Sequence, residues 1–250
     1  MIKIIKDLLA PKKCYSCQKE WTFFCEKCFK KIEKKYYFDQ VCYVCKKYSK
    51  NFEVHKECKN SSFSSPLKRN FGVIFYDKTI IMTHYKIKVI KKLILNFKFY
   101  HKKDVWEDLA VFLADKFIKY SKEELKNYKK EDFLVIPAPM SFFRKLVRWY
   151  NQADILAKNL AKILNFPYDN KIIFKSKYTK QQASLNRQKR LTNLKNSFKI
   201  AKKKTNKVDK KIIILVDDVI STWTTLNEIS KILKIAWAQK IITLTIASGY

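Results

Sequence analysis

The chain has 250 residues, of which 47% are hydrophobic and 15% aromatic, so a buried core is within reach and wholesale disorder is excluded. Lysine and arginine number 54 against 22 aspartates and glutamates, and the resulting net charge of +32 points to polyanionic partners such as nucleic acid or phosphorylated metabolites. The longest apolar runs, such as residues 212–216, fall far short of the roughly 20 residues a membrane-spanning helix needs, so no membrane insertion is expected.

Residues 1–11 scatter lysines through apolar positions and offer no small-residue cleavage site. They do not read as a signal peptide, and a cytoplasmic location is expected. All seven cysteines fall between positions 14 and 58, mostly in pairs. Cys14 and Cys17, Cys25 and Cys28, and Cys42 and Cys45 are C-x-x-C knuckles, the spacing at which two thiolates chelate one tetrahedral metal. His55 and Cys58 form a fourth pair, with imidazole replacing one thiolate. Eight ligands make two four-coordinate structural zinc sites. The contiguous grouping is Cys14, Cys17, Cys25 and Cys28 for one and Cys42, Cys45, His55 and Cys58 for the other, with interleaved pairing the alternative. Disulfides are the alternative, disfavoured in a chain without a signal peptide.

Residues 59–70 are rich in Ser and Asn and carry Pro66, a linker composition. The expected organisation is therefore a double zinc ribbon over 1–60, a linker over 61–70 and a second domain over 71–250. In that domain residues 72–76 read as a short strand and 77–83 as a turn or hairpin. Over 85–99, apolar residues at helical spacing (Ile87, Ile90, Leu93, Ile94, Phe97) predict a helix. A second helix is predicted over 104–120, a strand over 133–136, a helix over 153–164 and a strand over 171–174. A buried strand over 211–216, a helix over 225–235 and a strand over 240–247 follow. Alternating strands and helices predict an α/β fold, a parallel sheet with flanking helices.

The segment 212–226 carries the chemistry. A buried strand delivers Asp217 and Asp218, and Ser221, Thr222, Thr224 and Thr225 then open a helix. Carboxylates accept hydrogen bonds from vicinal ribose hydroxyls, while hydroxyls and backbone N–H groups at a helix N-terminus hold a phosphate dianion. The segment resembles the PRPP-binding motif of the type I phosphoribosyltransferases. That resemblance implies Asp217 and Asp218 for the ribose hydroxyls and Ser221, Thr222, Trp223, Thr224 and Thr225 for the 5-phosphate. Two more stretches narrow it. Residues 135–140 with Pro137 and Pro139, followed by Arg144, Arg148, Tyr150, Asn151 and Gln152, resemble the P-x-P and R-G-(Y/F)-N-Q block of the ComF family. Gln181, Arg187, Arg190 and Asn196 resemble that family's flexible-loop stretch. A double zinc ribbon before a phosphoribosyltransferase domain is also its architecture.

The resemblance implies PRPP bound with magnesium, its diphosphate near the loop that carries Pro137, Pro139, Arg144, Lys145 and Arg148. Transfer in that superfamily passes through an oxocarbenium-like state as pyrophosphate leaves, so catalysis rests on positioning and charge stabilisation without a single nucleophile. The function expected is a PRPP-binding protein linked to DNA uptake and competence, a phosphoribosyltransferase whose acceptor the sequence does not name. The alternatives are a non-catalytic single-stranded DNA-binding protein of the transformation machinery, working with competence proteins, and a nucleobase-salvage phosphoribosyltransferase. Aromatics beside lysines, as in residues 98–101, suit base stacking as well as core packing.

Glycine is scarce, at 2 residues, while tryptophan numbers 5. Trp223 and Trp149 stand where the resembled motifs carry glycine, and Trp237 falls where the turn out of the last helix favours a glycine cap. Trp21, between two knuckles, is a fourth instance, and Trp106 falls within a helix. UGA codons read as glycine in the source organism explain this pattern. A degenerate pocket filled by an indole is the alternative.

Overall fold

The computed structural model describes residues 11–35, 40–60, 73–100, 104–140, 149–176, 196–220 and 223–249, and of 97–100 and 104 only the backbone. The linker expected over 61–70 lies outside the described residues.

Two similar units open the chain. In each, a knuckle closes by a backbone bond onto its first cysteine, Gln18 N to Cys14 O at 2.9 Å and Lys46 N to Cys42 O at 2.8 Å. The flanking residues pair as antiparallel bridges, Lys13 with Glu20 and Val41 with Tyr48. The second pair of ligands then straddles a helix start. Cys25 precedes and Cys28 lies in α1 (Glu26–Lys35), while His55 precedes and Cys58 lies in a single helical turn, Lys56–Lys59.

Past these units come β1 (Lys78–His84), α2 (Lys88–Tyr100), α3 (Asp104–Tyr120), α4 (Lys122–Asn127), β2 (Phe133–Pro137) and α5 (Gln152–Leu164). The chain continues through β3 (Ile173–Lys175), β4 (Phe198–Ile200), β5 (Ile212–Ile220), α6 (Thr224–Ile235) and β6 (Lys240–Ser248). Four strands form one parallel sheet in the order β1-β6-β5-β2. Its central strands are the apolar runs of the sequence. Ile212, Ile213, Ile214, Leu215 and Val216 are fully buried, as a strand covered on both faces requires. Pro137 ends β2, an edge strand, where its missing N–H costs no ladder bond. Helices α3 and α5 pack on each other; α5 also covers β5 and β2, and α3 contacts β1 and β6.

The α/β expectation therefore holds, with three local corrections. Residues 73–76 are not a strand; the chain joins the sheet when Asp77 N donates to Ile241 O at 2.8 Å, and the strand runs over the segment expected to be a turn or hairpin. The strand expected near 171–174 pairs antiparallel with β4 in a separate two-stranded ribbon, outside the parallel sheet. And β5 continues through Asp217 and Asp218 to Ile220, held by pairing with β6.

The metal units share the core of the sheet domain. Phe29 stacks on Phe112 of α3 with centroids 4.3 Å apart, and Phe24 meets Phe112 edge-on at 5.7 Å. Phe52 meets Tyr120 edge-on at 4.8 Å. Asp108 of α3 accepts hydrogen bonds from Phe23 N at 2.8 Å and Thr22 Oγ1 at 3.0 Å, fixing the turn between the two ligand pairs of the first unit. The second unit is tied in by charge. Glu124 Oε1 accepts from Lys78 Nζ at 2.6 Å and from Lys240 Nζ at 2.7 Å, and Lys240 also reaches Glu53 at 3.3 Å.

Candidate functional site

The metal-ligating side chains converge in the contiguous grouping. Within each of Cys14, Cys17, Cys25, Cys28 and Cys42, Cys45, His55, Cys58, the ligand atoms all lie within 4.8 Å of one another. Cys17 Sγ and Cys25 Sγ are 3.6 Å apart, close to the about 3.8 Å that two thiolates on one tetrahedral zinc adopt. His55 Nδ1 lies 3.3 Å from Cys45 Sγ, and its Nε2 lies 3.0 Å from Tyr48 O. That carbonyl holds the proton on Nε2 and leaves the Nδ1 lone pair facing the cysteines, the outer-sphere arrangement typical of metal-bound histidine. Burial pushes the Cys28 and Cys58 thiols up to about 12, and neighbouring cysteine groups add to the shift. Without a cation these clusters resist full deprotonation; a divalent metal removes that obstacle. The donor sets therefore fit zinc, closed on all four sides and structural in character.

The second constellation sits where the parallel strands end. Register aligns Pro137 with Val216, and Asp217 with Thr245, so the ends of β2, β5 and β6 form one edge. Asp217 and Asp218 are half-buried there. Asp217 Oδ1 accepts from the backbone N of Asp218 at 2.8 Å, and Asp218 Oδ1 accepts from Val219 N at 2.7 Å, which orients both carboxylates. Six residues after Asp218, α6 begins. Thr224 and Thr225 occupy its first turn, where unsatisfied N–H groups and the helix dipole favour an anion. The Thr224 hydroxyl is buried with no hydrogen-bond partner among the described residues.

Pro137 and Pro139 flank the same edge. Ala138 between them donates to Val216 O at 2.8 Å and accepts from Asn151 Nδ2 at 3.0 Å. Asn151 also caps α5, its Oδ1 accepting from Ala153 N at 3.2 Å, so one side chain pins the proline segment to that helix. The structure thus brings Asp217, Asp218, Pro137, Pro139, Thr224 and Thr225 to one sheet edge. Ser221, Thr222, Arg144, Lys145 and Arg148 lie outside the described residues, as do Gln181, Arg187 and Arg190.

Trp223, expected in the phosphate loop, is the residue before α6. Its φ of −66° is an ordinary right-handed value and not one that a Cβ obstructs. The indole is buried, 5.3 Å from the ring of Tyr43 and 5.9 Å from that of Tyr76. Sequence reasoning missed this aromatic seat and the Glu53, Lys78, Glu124 and Lys240 cluster, because nothing in local pattern links residues so distant along the chain. The Cys-x-x-Cys knuckle that contains Tyr43 was the one available pointer.

The phosphoribosyl transferase domain family matches residues 152–249. Competence protein F of Haemophilus influenzae is 37% identical over 166 residues, spanning 66% of this chain and 70% of that protein. Competence protein ComFC of Streptococcus pneumoniae is 30% identical over 52% of this chain and 54% of its own length. DNA utilization protein YhgH of Escherichia coli O157:H7 is 31% identical over 99 residues, 40% of this chain and 42% of that protein. Among solved structures, the hypoxanthine-guanine phosphoribosyl transferase of L. donovani overlaps 57% of this chain and 71% of its own with a TM-score of 0.36 and 13% identity, too little to argue from.

Proposed function

The chain belongs to the ComF family of competence proteins, and on that premise we propose that it is a competence-linked phosphoribosyltransferase-like protein whose sheet edge binds PRPP. The observation that carries the reading is the adjacency of Asp217 and Asp218 to the start of α6, within the segment that matches the phosphoribosyl transferase domain. The paired carboxylates accept from the ribose 2- and 3-hydroxyls. Their backbone partners hold them in place before ligand arrives, which lowers the ordering cost of binding. The first turn of α6, with Thr224, Thr225, Ser221 and Thr222, takes the 5-phosphate. Arg144, Lys145 and Arg148, after Pro139, take the diphosphate. Magnesium accompanying the ligand would neutralise diphosphate charge, and oxygen-rich acidic surroundings suit it. Zinc in the two N-terminal clusters holds the ribbon units against α3 and the start of α6. The division into a ribbon module over 1–60, a linker over 61–70 and a phosphoribosyltransferase-like domain over 71–250 belongs to the same reading.

Calorimetric titration of Mg-PRPP into the full chain as written, and into a form with glycine at 149, 223 and 237, tests it. Binding by either form is expected. No binding by either, with both folded and loaded with zinc, overturns the reading.

A second reading rests on the net charge of +32 and on relatives named for competence and DNA utilization. On it the protein binds single-stranded DNA without group transfer. Steep salt dependence alone reports only counterion release. A preference for single strands over duplex at fixed salt is the result that supports it, and equal binding removes it.

A further inference from the structure

Among the described residues ten non-glycine residues have a positive φ, and three of them are tryptophans: Trp21 at 68°, Trp149 at 62° and Trp237 at 63°. Only five tryptophans exist in the chain. Left-handed backbone is a small minority state for non-glycine residues, tolerated best by Asn, Asp and His, and a bulky aromatic is among the poorest fits. The same three side chains stand in solvent, 61%, 81% and 78% exposed, although tryptophan is among the most buried residues on average. Trp106 behaves in the opposite way. It is fully buried in the first turn of α3, as a large apolar side chain should be.

Position 237 allows an internal comparison. Helix α6 ends with Ala238 N donating to Leu233 O and Trp237 N donating to Lys234 O, both at 3.0 Å. This is the paired bonding of a Schellman cap, whose left-handed residue is usually glycine and sometimes asparagine. Helix α5 ends in the same way, with Phe166 N donating to Ala161 O at 2.9 Å and Asn165 N to Lys162 O at 3.4 Å. There the left-handed position, φ 54°, holds the expected Asn165. One chain thus fills one structural position once with a residue that suits it and once with a residue poorly suited to it. Trp149 presents the same conflict two residues before the cap of α5, and Trp21 in the turn between the two ligand pairs of the first metal unit.

We infer that positions 21, 149 and 237 are glycine in the protein its source cell makes, that the tryptophans written there are UGA codons read through a table that assigns UGA to tryptophan, and that Trp106 is a true tryptophan. The inference stands on backbone conformation and exposure and does not require PRPP binding. It adds glycine at positions whose backbone already asks for it. Position 223, with its right-handed φ, carries no such backbone signature and is not assigned by this argument.

Two measurements test it. In the gene, codons 21, 149 and 237 should be UGA and codon 106 UGG. Peptide mass spectrometry of the protein purified from its source cells should give glycine at the three positions and an indole at 106. UGG codons or an indole mass at 149 and 237 overturn the inference and leave those exposed rings as native side chains. A folding comparison reads the same question in a heterologous host. Trp149→Gly and Trp237→Gly should raise the urea midpoint above both the chain as written and the matching alanine variants, since alanine keeps the Cβ that left-handed backbone disfavours. Alanine variants equal to or more stable than the glycine variants also overturn it.

Discussion

The ring of Tyr43 lies 5.3 Å from the indole of Trp223. Tyr43 sits between Cys42 and Cys45, two ligands of the second metal cluster, and Trp223 immediately precedes the helix that borders Asp217 and Asp218. The turn that carries Cys42 and Cys45 and the sheet edge that carries the acidic pair therefore share one buried contact.

Losing the second metal should be felt across that contact. Cys42→Ser and Cys58→Ser are expected to release one of two zinc equivalents, red-shift tryptophan emission as Trp223 becomes wet, and lower the melting temperature by on the order of 10 °C. Zinc analysis with fluorescence checks this. An unchanged emission spectrum in a one-zinc protein would show that the indole does not depend on the cluster.

Glu124 is buried and receives both Lys78, itself fully buried, and Lys240. Glu124→Gln leaves the Lys78 ammonium buried without a carboxylate on Glu124 and should cost about 3–5 kcal/mol in urea unfolding.

Acid should weaken the same region. Burial pushes the Glu124 carboxyl up, but hydrogen bonds from Lys240 and Lys78 outweigh this and hold it below the usual carboxylate range. Asp77 is likewise raised by burial and drawn lower by Lys234 and Lys59. Groups depressed in the folded state contribute stability that is complete above their unfolded values and is lost as pH falls through the folded ones. Urea midpoints should hold steady from pH 7 to about 5 and then fall, and Glu124→Gln should flatten part of that fall.

Asp217→Asn or Asp218→Asn should weaken Mg-PRPP binding at least about tenfold, roughly 1.4 kcal/mol, while the exposed Asp209→Asn leaves it unchanged. Stability should change little or rise, because two adjacent like charges are relieved. Calorimetry with a parallel urea melt separates the two effects.

Asp108→Ala removes the acceptor for Phe23 N and Thr22 Oγ1. The cost should be about 1–3 kcal/mol, with weaker zinc retention by the first cluster in a chelator competition. Asp108→Asn keeps one carbonyl oxygen and should recover part of both.

The residues that bear chemistry were legible because their signals are local. Cys-x-x-Cys spacing is fixed by the bite of a single turn, and an apolar run ending in two acids and followed by hydroxyl residues states its own geometry. The helix over 104–120 matches α3, since its apolar spacing and boundaries lie within one segment. β1 was misread for a physical reason. Lys78 and Thr79 look like turn residues, yet both are buried, Lys78 because Glu124 neutralises it from α4. No property of residues 78–84 announces that partner.

By itself the sequence determined the parallel α/β class, the apolar strands, the eight candidate metal ligands and the acidic pair ahead of a helix, all set by patterns within a few residues of one another. The tertiary structure decided which ligands share a cluster and that β3 leaves the main sheet to pair with β4. It carried β5 on through its two aspartates by pairing with β6, and it seated the metal units on α3 and at the start of α6. Each of these depends on partners brought together by folding, whose burial and pairing energies exist only once the chain has closed on itself.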